Sequence, residues 1–126
     1  MIGWFMVFTH MLDRGVLVVT LHGDVVIGDR AAVSQGFADL VRMYLPRAVV
    51  IELRTPVVSA AALSAVLRAH RLCEHGRVPL SLVAAERATR RLLEAGTDGT
   101  GLRVLACRDE AVAGVAAGVA AVAAPV

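Results

Sequence analysis

Apolar residues are distributed along the chain in runs of two periods. Val16 to His22 reads VLVVTLH, a β-branched stretch closed by Gly23 and Asp24, and it predicts a strand followed by a loop. Val33, Phe37, Leu40, Val41 and Tyr44 then recur three or four positions apart, so a helix follows that Asp29 can cap and Pro46 cannot continue. AVVIEL at 48–53 is continuously apolar apart from one acid, the character of a strand buried on both faces. Next, Ser59 is a natural N-cap for a helix in which Leu63, Val66, Leu67 and His70 share one face, and Gly76 is expected to supply a left-handed stop. VPLSLVA at 78–84 reads as a strand, 86–95 as a helix ending at Gly96, TDGTG as a loop and LRVLA as a short strand. Asp109 opens a last helix. With the apolar opening MIGWFMVF read as a strand, the order is β-β-α-β-α-β-α-β-α. That alternation predicts an α/β fold, a mixed and mainly parallel sheet with helices packed against it. Val18, Leu21, Val50, Ile51, Leu53, Leu80 and Leu82 are the expected core.

Composition narrows the choice of class. A chain of 126 residues, 57% hydrophobic and 19% charged, suits a single domain spanning 1–126 and excludes both a disordered chain and a multidomain enzyme. A net charge of +2 and 4% aromatic residues argue against nucleic acid as a partner. Every one of the 13 basic residues is arginine, which removes Schiff-base and phosphate-loop lysine chemistry. Cys73 and Cys107 lie far apart with no metal-ligand spacing around them and read as reduced thiols of a cytoplasmic protein. The opening stretch lacks the basic flank of a signal peptide. The closing AVAGVAAGVAAVAAPV is short of a spanning length, so no membrane association is expected.

The chemistry-bearing residues assemble into no catalytic site. His10, His22, His70 and His75 fall on different elements without metal-ligand spacing, and Ser34, Ser59, Ser64 and Ser81 include no nucleophile elbow. Asp109 and Glu110 suit a helix N-terminus, and the glycine-rich GTDGTG precedes a strand, whereas a phosphate loop follows one. Neither enzyme activity nor a cofactor nor a metal is expected. Arg87, Arg90 and Arg91 make a solvated face or a docking one. The stripe Val112, Val115, Val119 and Val122, with Gly114 and Gly118, would pack on the sheet or on a second copy as a homodimer contact.

Taken together, VLVVTLHGDVV, IELRTPVVSAAALSAVLRAHRLCEHG, VPLSLVAAERATRRLLEAGTDG and LRVLACRDEAVAG resemble the STAS domain of bacterial anti-sigma factor antagonists. The likeness covers a core of about 14–114, leaving 115–126 as an Ala/Val-rich C-terminal helix or tail. In that family a strand ending in Gly-Glu-Leu-Asp precedes the first helix, and a strand ending in Asp-Leu leads through a loop to Asp-Ser-Ser-Gly-Leu at the start of the second. Scaffold positions match at Gly23, Glu52, Leu53, Leu63, Gly76, Leu92, Leu93 and Gly96. The resemblance implies a protein-binding transcriptional regulator that sequesters an anti-sigma factor of serine-kinase type. Its contact would be made by the loop Gly23 to Asp29, with Asp24 standing for the family's glutamate, and by the helix start Ser59, Ala60, Ala61 and Leu63.

The switch positions depart from the family. Counted back from Leu63, the serine that the family phosphorylates is replaced by Ala60, a methyl group that cannot accept phosphate, and Ser59 falls on the motif's aspartate. The preceding loop is one residue short, so displacement of Ser59 into the acceptor place stays open. Two other functions compete: a small-molecule or nucleotide sensor using the same edge, and a structural subunit of a signalling assembly.

Overall fold

A computed structural model describes residues 8–22, 30–55 and 58–114 of the chain. Strands β1 (Phe8–Asp13), β2 (Val16–Leu21), β3 (Ala48–Leu53), β4 (Leu80–Val83) and β5 (Arg103–Leu105) form one sheet in sequential order. β1 pairs antiparallel with β2, and all the other pairings are parallel. Helices α1 (Arg30–Tyr44), α2 (Ala60–His75) and α3 (Arg87–Gly96) connect the parallel strands. Residues 108–114 form a further helix, α4.

The expected element order holds from the second strand onward. The opening strand lies further along the chain than its apolar run, taking in Thr9, His10 and Asp13, and residues 1–7 of that run are outside the described part. As an edge strand with one neighbour, β1 tolerates outward polar side chains that a central strand would not. Arg14 and Gly15 carry it into β2 with φ of 52° and 79°. Two consecutive left-handed residues give the twist a tight hairpin needs, and glycine takes the second without steric cost.

β2 and β3 are apolar on both faces because both are covered. Toward one face Leu17, Val19, Leu21, Val49, Ile51, Leu53 and Leu82 meet Val33, Phe37 and Leu40 of α1, the inner side of α2 and Leu93 of α3. Toward the other, Val16, Val18, Ala48, Val50 and Val83 meet Ala111 and Val112 of α4. Six of the seven expected core positions are buried, and Leu80 is half-buried.

Helix α2 departs from expectation in two ways. Its buried side is Ala61, Ala62, Ala65, Val66, Ala69 and Cys73, while Leu63, Leu67 and His70 flank that side half-buried. Methyl-sized side chains let the helix lie close to the sheet, so the larger leucines are displaced to its shoulders. Gly76 caps α2 at φ −87°, a right-handed conformation, and the left-handed residue is Arg77 at 57°. The helix is closed by Gly76 N–H donating to the Leu72 carbonyl at 3.3 Å and Val78 N–H to that of Cys73 at 2.8 Å.

Candidate functional site

Because β2 and β3 are parallel with Leu21 beside Leu53, the segments that leave them start side by side on one edge of the sheet. The Arg54 N–H donates to the Leu21 carbonyl at 2.8 Å and ties the two exits together. β4 ends at the same edge, and α3 starts from it after Ala84. A parallel sheet therefore presents the first turns of its helices together, beyond the C-terminal ends of its strands.

The start of α2 is the best-defined part of this edge. Ser59 sits in an extended conformation, φ −78° and ψ 165°, and its Oγ accepts the Ala62 N–H at 3.1 Å. That bond satisfies one of the amide groups every helix N-terminus leaves unpaired. Ala60 is exposed, Ala61 and Ala62 point into the core, and Leu63 is half-buried. Of the four predicted contact residues here, Ser59, Ala60 and Leu63 thus reach the surface, and Ala61 contributes backbone with a methyl turned inward. Gly23, Asp24 and Asp29 lie outside the described residues.

Leu63 rests on the end of α3. A Cβ placed on Gly96 would come within 2.6 Å and 2.8 Å of the Leu63 methyls, so the glycine is the space in which that side chain lies. Ala60, Leu63, Ser64 and Gly96 line a shallow groove between α2 and α3, with Arg68 and Arg71 further along it. A second depression beside it is lined by Leu53, Arg54, Thr55, Glu86 and Thr89.

Glu52 stands behind this edge, on the face covered by α4. Its side chain is only 12% exposed, yet it is heavily partnered. Thr20 Oγ1 donates to Glu52 Oε1 at 3.2 Å, Arg108 Nε donates at 3.0 Å and Arg108 Nη2 bonds the same oxygen, while Arg54 Nε lies 3.6 Å from Oε2. Burial pushes the Glu52 carboxyl up, but the hydrogen bonds and charges of Arg108, Arg54 and Thr20 outweigh it and hold it below the ordinary 4.5. In the sequence Glu52 stands out only as a scaffold position of the resemblance. An acid in an otherwise apolar central strand is the signal for its role, since it demands a cation beside it.

The remaining candidates have local roles. Arg90 Nη1 donates to the carbonyls of Ala84 and Ala85 at 2.9 Å and 2.7 Å and so braces the turn into α3, whereas Arg87 and Arg91 are exposed. His10 lies 3.3 Å from the Tyr44 hydroxyl, His22 2.7 Å from Thr9 Oγ1, and His70 3.5 Å from Glu74. His75 ends α2. Cys73 is buried and Cys107 exposed, both as free thiols. Val112 packs fully buried on the sheet, and the other three valines of its stripe lie outside the described residues. No described helix is long and apolar enough to cross a membrane.

Compared by sequence, the chain matches no protein-family model and no curated protein. Compared by structure, it has the α/β fold of the anti-sigma factor antagonists, the STAS fold. A candidate anti-sigma factor antagonist of Thermotoga maritima is similar with a TM-score of 0.72 at 13% identity, over 86% of this chain and 93% of that one. An anti-sigma factor antagonist of Mycobacterium paratuberculosis gives 0.70 at 20% identity, over 86% and 92%. The anti-sigma factor antagonist SpoIIAA in its unphosphorylated form gives 0.63 at 14% identity, over 88% and 98%.

Proposed function

We propose that this protein is an anti-sigma factor antagonist, a non-catalytic cytoplasmic STAS module that holds an anti-sigma factor of serine-kinase type, and that it does so without a serine switch. The observation that carries the second part is the first turn of α2. The exposed Ala60 stands where the resemblance puts the phosphoacceptor, and the neighbouring Ser59 uses its hydroxyl as the helix cap. An alanine there offers a partner a small apolar contact next to Leu63 and the groove at Gly96. The segment 23–29, which follows β2 in the sequence, completes the proposed contact.

In the absence of a phosphoacceptor, binding is constitutive. A phosphoryl group on a serine brings nearly two negative charges and three strong acceptor oxygens, enough to dissociate a closely packed contact. Ala60 has no oxygen to carry it. Regulation would then rest on the amounts of antagonist and partner, or on a separate input.

The test uses serine-kinase-type anti-sigma factors from the same genome, purified and titrated with the protein in the presence and absence of ATP and Mg²⁺. One of them should bind with an affinity that ATP leaves unchanged, and phosphopeptides across 55–68 should be unmodified. The Ala60→Ser variant should become phosphorylated and release its partner. Absence of a complex with any such factor sinks the antagonist reading, and phosphate on Ser59 of the unaltered protein sinks the constitutive one.

A further inference from the structure

A third cavity lies beneath α1 and α2, reaching inward from Leu21 at the strand-end edge. Its floor is Val19 and Ile51 of the sheet and its walls are Val33 and Phe37 of α1 and Ala65 and Ala69 of α2. The volume is about 160 Å³. It exists because α2 turns alanines inward. Methyl groups at 65 and 69 leave a gap over Ile51 that Phe37 reaches without filling. Interiors ordinarily pack with few voids larger than a water molecule, and an apolar cavity of about 150 Å³ is enough to take up a six-carbon guest such as benzene.

Two polar groups on this cleft are unspent. Ser34 contributes a hydroxyl whose oxygen is buried and has no hydrogen-bond partner. Arg68 also lines the cleft, is exposed, and forms no ion pair among the described residues. An unpaired hydroxyl is costly to bury, and an unpaired guanidinium is a ready-made carboxylate partner.

We propose that the cleft between α1 and α2 binds a small amphiphilic anion, a monocarboxylate with an apolar body of about six carbons. The body displaces solvent from the alanine-lined gap, the carboxylate meets Arg68 at the surface, and Ser34 donates to an oxygen of the same guest. Helix α2, one wall of the cleft, also carries the proposed partner surface at its first turn, so occupancy gives the module a chemical input. The proposal stands independently of the antagonist reading, since its test involves no protein partner.

The experiment is a titration of the isotopically labelled full chain with hexanoate and, separately, hexanol, followed by amide chemical shifts. Hexanoate should produce saturable shifts at Ser34, Ala65 and Ala69 below about 10 mM. Arg68→Gln should weaken hexanoate about tenfold and hexanol less than twofold, because only the carboxylate uses the guanidinium. Ala69→Leu, which fills the gap, should abolish both. Ala38→Leu on the α1 side serves the same purpose should Ala69→Leu fail to fold. Loss of saturable binding for both compounds in the unaltered protein overturns the proposal, as do shifts that persist in a folded filled variant. An Arg68→Gln protein that binds hexanoate as well as before overturns the assignment of an anion.

Discussion

Replacing Arg108 by methionine tests whether the Glu52 cluster holds α4 to the sheet. The substitution keeps an apolar stem of similar length and removes two hydrogen bonds to Glu52 Oε1 from a cation 30% exposed. What remains for the carboxylate is Thr20 at 3.2 Å and Arg54 at 3.6 Å, the latter 56% exposed and so worth about 0.5 kcal/mol. Breaking a fully buried pair costs roughly 3–5 kcal/mol. With two partners left and some access to water, about 2–3 kcal/mol is expected here, on the scale of a lost charge-assisted hydrogen bond. For a chain of this size that lowers Tm by roughly 6–15 °C. Glu52→Gln, which keeps the oxygen that accepts from Thr20, should cost about 1–2 kcal/mol. The double variant should be more stable than the sum of the two losses predicts, by about 1 kcal/mol or more, since each single change already removes the shared interaction. Urea unfolding followed by circular dichroism at pH 7 measures all three. Strict additivity, with Arg108→Met within about 0.5 kcal/mol of the unaltered protein, would refute the account.

The same carboxylate sets a pH dependence. Its folded pKa is depressed below 4.5, so its contribution is fully present above the unfolded value and is lost as pH falls through the folded one. Urea midpoints should therefore drop in the acid range below about pH 4.5, and they should drop less in Glu52→Gln. Leu82→Ala, at a fully buried position in β4, should destabilise by about 2–5 kcal/mol in the same unfolding assay. Ser59→Ala should cost about 1 kcal/mol through the lost cap, and Ser59→Asp should recover most of it. A thiol reagent at neutral pH should modify Cys107 quickly and Cys73 only on unfolding, because burial pushes the Cys73 thiol up to about 11. Mass spectrometry of the native and denatured reactions counts the sites.

The parts of the fold legible in the sequence are those where local pattern and burial agree. AVVIEL is a central strand to the residue, because a strand covered on both faces leaves no alternation to misread. Ser59 is legible for the same reason, since a cap is decided by its own side chain and the amides next to it. Features set by distant partners were not visible. Which side of α2 faces inward depends on how closely the helix approaches the sheet, and alanines there outrank leucines that any hydrophobicity pattern would favour. Glu52 and Arg108 are 56 positions apart, and nothing local announces their pairing. Gly96 reads as a helix stop and does end α3, but nothing local shows that it is also the room that Leu63 needs. The edge carrying the candidate site could be located from parallel topology alone, whereas the cleft beneath α1 and α2 could not.

The strands are laid down in the sheet in the order in which they are made, with each crossover helix returning to the same face. Vectorial synthesis can therefore assemble this protein from one end, every new strand docking on the free margin of those already in place, without any strand having to insert between neighbours. The opposite face follows another timetable. Val18, Val50 and Val83 meet Ala111 and Val112 from α4, which leaves the ribosome after β5. A nascent chain halted before residue 108 would carry all five strands without α4, the described cover of this valine face, and is the kind of species that chaperones retain and that aggregates when they do not. The late-arriving helix is thus a checkpoint on manufacture, and ribosome-bound chains released just before and just after α4 should differ sharply in solubility.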